Sequence, residues 1–496
     1  MEVKILLILL VISQISDSAK VSKDNVVLMV ELIRHGARAP IVNVKKEKWI
    51  EATGNGELSE TGKRMEFYLG LNTRFRYPNF FSKPLKYNEF WLRSTNYNRT
   101  IMSGISHTIG MTQRFVKNET LQFPNDDIRL LPPQMKNGAL FNISNIQFTT
   151  PLPYGFQPFP IYTDFPDDEY LRMNECKGLK TDRVASFAAT SVLLEKTKFF
   201  PGLFKWVLGK YGLTNQTFNP KTPDGNNSFV KANLLADFAI MDFLNNPKPT
   251  IESNDPNYGY LQDLQALQLL QRYNKTVAMK TIVTPTLTQI RTYFQNKIGG
   301  VNNKSYPLRY VLFSAHDTTI SGHLAGMKPQ IVNTTCLITS LSTGKRDPNC
   351  SIYPPVGSNI IWELVQNGTD YFAKISYNGV YLDYCNTNKT DGNGDFYCTM
   401  EEFDKTITGK INPDFKSYCG YETSGGNAPN SNSWLVWVYY GIIGVLLLYS
   451  VVVTIICLQK GQGYEENKTL DNEGYYRDET QVDASSGMEL EQDSNF

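Results

Sequence analysis

The chain has 496 residues, 41% hydrophobic and 20% charged, with 35 Gly and 25 Pro, a composition that fits a folded protein and excludes collagen-like or wholly disordered chains. Its formal net charge is +1, and no long Lys/Arg run could form a groove for a polyanion, so no nucleic-acid partner is expected.

Met1 to Lys4 lead into an apolar run, Ile5 to Ile12, and small or polar residues end at Ala19, which predicts a signal peptide over 1–19. Val26 to Ile33 is an almost unbroken β-branched and aliphatic run, as expected of a strand buried on both faces of a parallel sheet. It ends in Arg34-His35-Gly36. Phe90-Trp91-Leu92 ends in Arg93-Ser94-Thr95, and Tyr310 to Phe313 ends in Ser314-Ala315-His316-Asp317. Ligands of open α/β sheets bind at the carboxy edge of the strands, so the three ends are expected to share one site.

Between Arg183 and Ile298 the apolar spacing becomes helical, as in Leu234, Phe238 and Met241, then Leu287, Ile290, Phe294 and Ile298. Strand-like runs return at Ile360–Leu364 and Tyr371–Ile375. A polar stalk spans 423–432. Trp434 to Leu458 then gives 25 residues without a charge, enough at about 1.5 Å per residue to cross a bilayer core of about 30 Å. Trp434, Trp437, Tyr439 and Tyr440 form an aromatic belt at one end of this predicted transmembrane helix. The tail, 459–496, holds three basic and ten acidic residues, so the signal peptide sets the topology, with the body in the lumen and the membrane engaged through one C-terminal helix.

Cys457 lies in that span, which leaves Cys176, Cys336, Cys350, Cys385, Cys398 and Cys419 for an oxidising compartment. Six cysteines allow fifteen pairings. Short loops favour Cys336 with Cys350 and Cys385 with Cys398, which leaves Cys176 for Cys419. The spacing has no four-ligand zinc pattern, and no metal is expected. Asn-x-Ser/Thr acceptors at Asn118, Asn142, Asn215, Asn226, Asn274, Asn303, Asn333, Asn349, Asn367 and Asn388 agree with a lumenal glycoprotein.

The run Arg34-His35-Gly36-Ala37-Arg38-Ala39-Pro40 sets two guanidinium groups about a histidine. Arginine holds phosphate oxygens through forked, charge-assisted hydrogen bonds, and an imidazole nitrogen can attack phosphorus. Gly36 is expected to let the backbone come close to the ligand. His107 and His323 are read as structural.

RHGARAP is similar to the RHGxRxP signature of the histidine acid phosphatases, the branch of the histidine phosphatase superfamily that includes acid phosphatases and phytases. SAHDTT at Ser314–Thr319, RSTNYNRTIMSG at Arg93–Gly104 and GELSETGKRMEFYLG at Gly56–Gly70 resemble three further blocks in the same order. The bare RHG core is shared with phosphoglycerate mutases, and Arg38, Pro40, Arg99 and the His316-Asp317 pair narrow it to the acid phosphatase branch. The span and short tail look most like the lysosomal members.

The resemblance implies His35 as the nucleophile forming a phosphohistidine, Arg34, Arg38, Arg99 and His316 as phosphate-binding, and Asp317 as the proton donor. It implies no cofactor, since arginines can offset the charge on the equatorial oxygens. Asn96 and Asn98 stand where close relatives usually carry Asp, which removes two negative charges beside Arg99. Asn98 is formally a glycosylation acceptor and is expected to be unmodified, because a glycan there would block the clamp.

The expected fold is α/β, a central mixed sheet flanked by helices, built from about 20–130 and 300–422, with an inserted, mainly helical second domain at about 131–299 and catalysis between them. The expected function is metal-independent hydrolysis of small phosphate monoesters with an acidic optimum, because Asp317 must carry a proton to give one. A phytase-like or lysophospholipid phosphatase is the nearest alternative, and an inactive, membrane-tethered phosphate-binding protein the alternative from another class. A lysosomal membrane location is expected, with the cell surface next. Tyr464 resembles the sorting tyrosine of lysosomal tails. The family often forms homodimers, and no interface is legible in this sequence.

Overall fold

A computed structural model describes residues 25–42, 44–83, 85–112, 158–163, 171–173, 176–300, 305–327, 333–350 and 353–421. The chain divides into two units, 1–422 and 423–496. The predicted signal peptide, stalk, transmembrane span and tail lie outside the described residues. Among the described residues no helix is long and apolar enough to cross a membrane.

The first buried run forms β1 (Val26–Arg34), the second β2 (Phe90–Ser94). A short strand, β3 (Ile161–Thr163), pairs parallel to β2. The fourth, β4 (Tyr310–Ala315), lies between β1 and β2 and is parallel to both. Two antiparallel strands, β5 (Asn359–Asn367) and β6 (Asp370–Tyr377), continue the sheet on the far side of β1, followed by β7 (Val380–Tyr381). The spatial order is β3-β2-β4-β1-β5-β6-β7, with β8 (Cys398–Thr399) also pairing to β6. The mixed sheet is thus parallel where the site lies and antiparallel away from it. β3 enters the sheet from within the segment expected to be a helical insertion: three residues are too short to leave a periodicity that sequence can show.

Strand side chains alternate between faces, so β1 serves two cores. Leu28, Val30 and Leu32 pack on one side with Val311, Phe313, Ile282 and Phe294, while Met29 and Ile33 pack on the other with Tyr310, Leu312, Tyr77 and Phe80. This double burial is why β1 reads as a continuous apolar run. A short helix, α1 (Lys48–Thr53), follows the first loop. The second face is covered by α2 (Glu60–Arg76), capped by Ser59 through its side chain, and α3 (Asn98–Thr112).

The middle of the chain is helical as expected: α4 (Lys177–Glu195), α5 (Phe200–Lys210), α6 (Ser228–Asn245), α7 (Tyr258–Gln271) and α8 (Thr276–Gly299). Leu287, Ile290 and Phe294 are fully buried, whereas Ile298 is exposed where α8 runs past the core. After β4 come α9 (Asp317–Met327) and α10 (Thr334–Thr343), and α11 (Met400–Lys410) and α12 (Phe415–Cys419) close the described chain. A separate apolar core joins α4, α5, α6, α7 and α10 with Ala39 from the loop after β1 and Ile50 of α1. The helical layer therefore reaches the residues that follow the RHG triplet.

The disulfides are Cys176–Cys419, Cys336–Cys350 and Cys385–Cys398, the pairing expected from loop length. The first ties the start of α4 to the last helix, and the second staples α10.

Candidate active site

The register of the parallel strands assembles the site. Arg34 pairs with Ala315 and Ser94 with Ser314, so β1, β2 and β4 end level with one another. Beyond those ends the His35 amide donates to the Ala315 carbonyl at 3.0 Å, and the Thr95 amide to Ser314 at 3.2 Å. His35, Thr95, His316 and Asp317 are thus carried to one edge by a single ladder. The His35 and His316 ring centroids are 5.6 Å apart.

Both histidines are almost wholly buried. His35 Nδ1 lies 2.9 Å from the carbonyl of Gly36. A carbonyl can only accept, so Nδ1 carries the proton and the lone pair of the neutral ring sits on Nε2. Burial, then the charges of Arg99, Arg34 and Arg38, push His35 well below the ordinary imidazole value, with Asp317 opposing. His316 is pushed down in the same way, by burial and then by Arg172 and Arg99. Its Nε2 is 2.9 Å from Thr95 Oγ1, which is 2.9 Å from Thr100 Oγ1. When the Thr95 hydroxyl donates to Nε2, the neutral ring keeps its proton on Nδ1 as a free donor.

Arginines surround this pair. Arg34 has no exposed surface; Nη1 donates to the Pro354 carbonyl and Nη2 to Asp317 Oδ2 at 2.9 Å, and its guanidinium lies over the Tyr353 ring. Arg38 is gripped at two points by Asp237, Nη1 to Oδ2 at 3.1 Å and Nη2 to Oδ1 at 2.8 Å. Arg99, in the first turn of α3, lies over the Tyr97 ring at 4.6 Å, and Arg172 over the same ring at 4.5 Å. Tyr97 in turn meets the His316 ring edge to face. Burial, with Arg38 and Arg172 beside it, lowers Arg99 to about 10. Nε of Arg34, of Arg38 and of Arg99 are each buried without a hydrogen-bond partner. Three idle cationic donors around two histidines are what an oxyanion would satisfy.

Asp317 opens α9, where its Oδ1 accepts from the Thr318 amide at 2.7 Å. Burial alone would raise its carboxyl, but Arg34, His35 and Arg38 together hold it below the usual carboxylate range. The carboxylate is therefore ionised, and it can take up a proton only when the arginine field is offset.

Gly36 differs from its expected role. A Cβ there would collide with the backbone of Gly62 in α2. The glycine lets the loop that carries His35 pack on a helix. The acid-free third block leaves Asn98 exposed and donating to Glu57 Oε1 at 3.2 Å. His107 and His323 lie inside, against Tyr310 and Glu31 and against the Thr319 carbonyl.

Asp237, Arg172, Tyr97 and Tyr353 also belong to the site, without a role legible in the sequence, and Thr95 lies there as its strand end implies. Asp237 carried the clearest signal, an acid on the apolar face of α6 defined by Leu234, Phe238 and Met241.

The profile of the histidine phosphatase superfamily (branch 2) matches residues 26–151. Over 362 residues the chain is 21% identical to prostatic acid phosphatase of Bos taurus, covering 70% of this chain and 75% of that protein. It is 24% identical over 298 residues to lysosomal acid phosphatase of Xenopus laevis, covering 58% of each. Among solved structures, the apo form of Hafnia alvei phytase superposes with a TM-score of 0.53 at 14% identity, over 80% of this chain and 98% of that one. This last likeness is one of fold.

Proposed function

Because the chain belongs to the histidine phosphatase superfamily, branch 2, and is a phosphatase, we propose that it hydrolyses small phosphate monoesters through a phosphohistidine on His35. The observation that carries this reading is the free Nε2 of a neutral, buried His35 among arginines with idle Nε donors. Nε2 attacks phosphorus as the ester P–O bond breaks, and the arginines offset charge on the equatorial oxygens. His316 lies beside His35 as a further phosphate-binding group. The leaving alkoxide takes a proton from Asp317. Water then attacks the phosphohistidine, the N–P bond breaks, Asp317 recovers a proton from that water, and inorganic phosphate leaves.

The arrival of a phosphate dianion offsets the field of Arg34 and Arg38 and raises the proton affinity of Asp317, and an acidic medium then loads it. Neutral imidazole at low pH and a carboxyl that takes up a proton on binding are together consistent with an acidic optimum. In this reading the arginines take the role of a cation. Three disulfides favour an oxidising compartment, and with acid phosphatases as relatives we read the site of action as lumenal, at the lysosomal membrane.

Rapid quenching of the lumenal fragment with a 32P-labelled aryl phosphate tests the reading. Acid-labile phosphoenzyme should form in wild type and be absent in His35→Ala. Label retained in His35→Ala would remove His35 as nucleophile, and a folded wild type that binds phosphate without turnover would favour a binding protein.

A further inference from the structure

A guanidinium has five N–H bonds in one plane, and at Arg38 each can be accounted for. Nη1 donates to Asp237 Oδ2 at 3.1 Å and to the Ala39 carbonyl at 3.0 Å, and Nη2 donates to Asp237 Oδ1 at 2.8 Å. Three donors are occupied. The two that remain, the Nε–H and the second Nη2–H, share one edge of the plane, and Nε is buried without a partner. That edge has the spacing of two oxygens of one phosphate group.

The grip on Arg38 comes from one rigid element. Asp237 lies on α6, and Asn245, about two turns further along the same helix, donates from Nδ2 to the Arg38 carbonyl at 3.2 Å. One helix therefore holds both the backbone and the side chain of Arg38. Arg38 and Asp237 are nearly closed to solvent, 3% and 7% exposed, so water neither competes for the pair nor screens it. The third block carries Asn96 and Asn98 in place of acids, and among the described residues the carboxylates ion-paired to Arg34 and Arg38 are Asp317 and Asp237.

We propose that Asp237 is a positioning residue for phosphate binding: by occupying the far edge of Arg38 it fixes the Nε/Nη2 edge as the one offered to the substrate. The helical layer thereby completes a site whose other groups come from the sheet edge and α3. Asp237 touches no reacting atom. Its effect belongs to phosphate affinity, and it acts only through Arg38. The inference rests on the reading of Arg38 as a phosphate-binding group.

The experiment is a double-mutant cycle on the lumenal part of the chain, with Asp237→Asn and Asp237→Ala each made alone and with Arg38→Ala. KM for an aryl phosphate, kcat, the inhibition constant of inorganic phosphate and the thermal midpoint are measured for every folded variant. Removing a partner of a buried charged hydrogen bond should raise KM and the phosphate inhibition constant together by about 10- to 100-fold, with a smaller change in kcat. With Arg38→Ala already present, the Asp237 change should add less than about 2-fold, because coupled groups do not add. Equal factors in both backgrounds, or a loss of thermal stability with unchanged KM and phosphate inhibition, would overturn the inference alone. Unchanged KM and phosphate inhibition in Arg38→Ala would overturn the reading of Arg38 along with it. Asp237→Asn keeps the shape of the side chain, and it decides the matter if Asp237→Ala does not fold.

Discussion

The Arg34 guanidinium and the Asp317 carboxylate meet at 2.9 Å, joining the carboxy end of β1 to the first turn of α9. The contact keeps the Asp317 carboxyl low, and on the proposed mechanism it makes proton donation conditional on the arrival of a dianion. Asp317→Asn should therefore lower kcat on alkyl phosphates by about 100- to 10,000-fold. Aryl phosphates, whose phenolates leave without a proton, should lose far less. The ratio of the two substrates is the measurement, and equal losses on both would remove Asp317 as donor.

His35 is held neutral by burial and by Arg99, Arg34 and Arg38, in that order. The acid limb of phosphoenzyme formation should consequently fall below the ordinary imidazole value of about 6.5. Replacing Arg99 by Gln removes a positive charge, favours the imidazolium and raises the His35 pKa. The acid limb of Arg99→Gln should move to higher pH, beyond any rise in KM. A limb that stays in place would mean that burial alone sets the nucleophile.

The parts of this site that sequence could reach were those with a local signature. Arg34 ends a buried strand and His35, His316 and Asp317 follow such strands, and a parallel sheet puts these ends on one edge, so their meeting is legible in the sequence. Asp237 is different, because its partner Arg38 is 199 residues away and the pairing depends on how α6 lies against the loop after β1. Arg99 and Arg172 share the Tyr97 ring, a contact between residues that no spacing rule links. Gly36 shows the reverse case, a motif residue whose chemistry suggested a ligand contact and whose real neighbour is the backbone of Gly62.

Glu66 is a fully buried carboxyl on α2 whose two oxygens have no hydrogen-bond partner. Burial first, then the charge of Glu31, raises it well above 4.5, against a smaller opposing effect of Arg34. A raised carboxyl binds its proton more tightly folded than unfolded. Its stabilising share is full below the unfolded value and is lost as pH rises through the folded one, at up to about 1.4 kcal/mol per pH unit. Glu66→Gln should match wild type near pH 4.5 and exceed it increasingly towards pH 8. Urea unfolding at both values checks this, and a constant difference would mean that Glu66 is ionised in the fold.

Gly62 packs against the loop that carries His35, the nucleophile of the proposed mechanism. Its backbone lies against Gly36 and Ala37, and a Cβ at Gly62 would collide with the Ala37 carbonyl. That carbonyl is already held by the Ser59 amide at 3.0 Å and hydroxyl at 2.9 Å, so it cannot yield without moving the His35 loop. Overpacking of this kind costs about 1 to 3 kcal/mol, and a displacement of about 1 Å at a nucleophile can cost about 100-fold in rate. Gly62→Ala should therefore lower the thermal midpoint modestly and kcat by about 10- to 100-fold, with a smaller change in the phosphate inhibition constant. The same substitution with wild-type kcat and a lowered midpoint would show that α2 supports the fold without aligning His35.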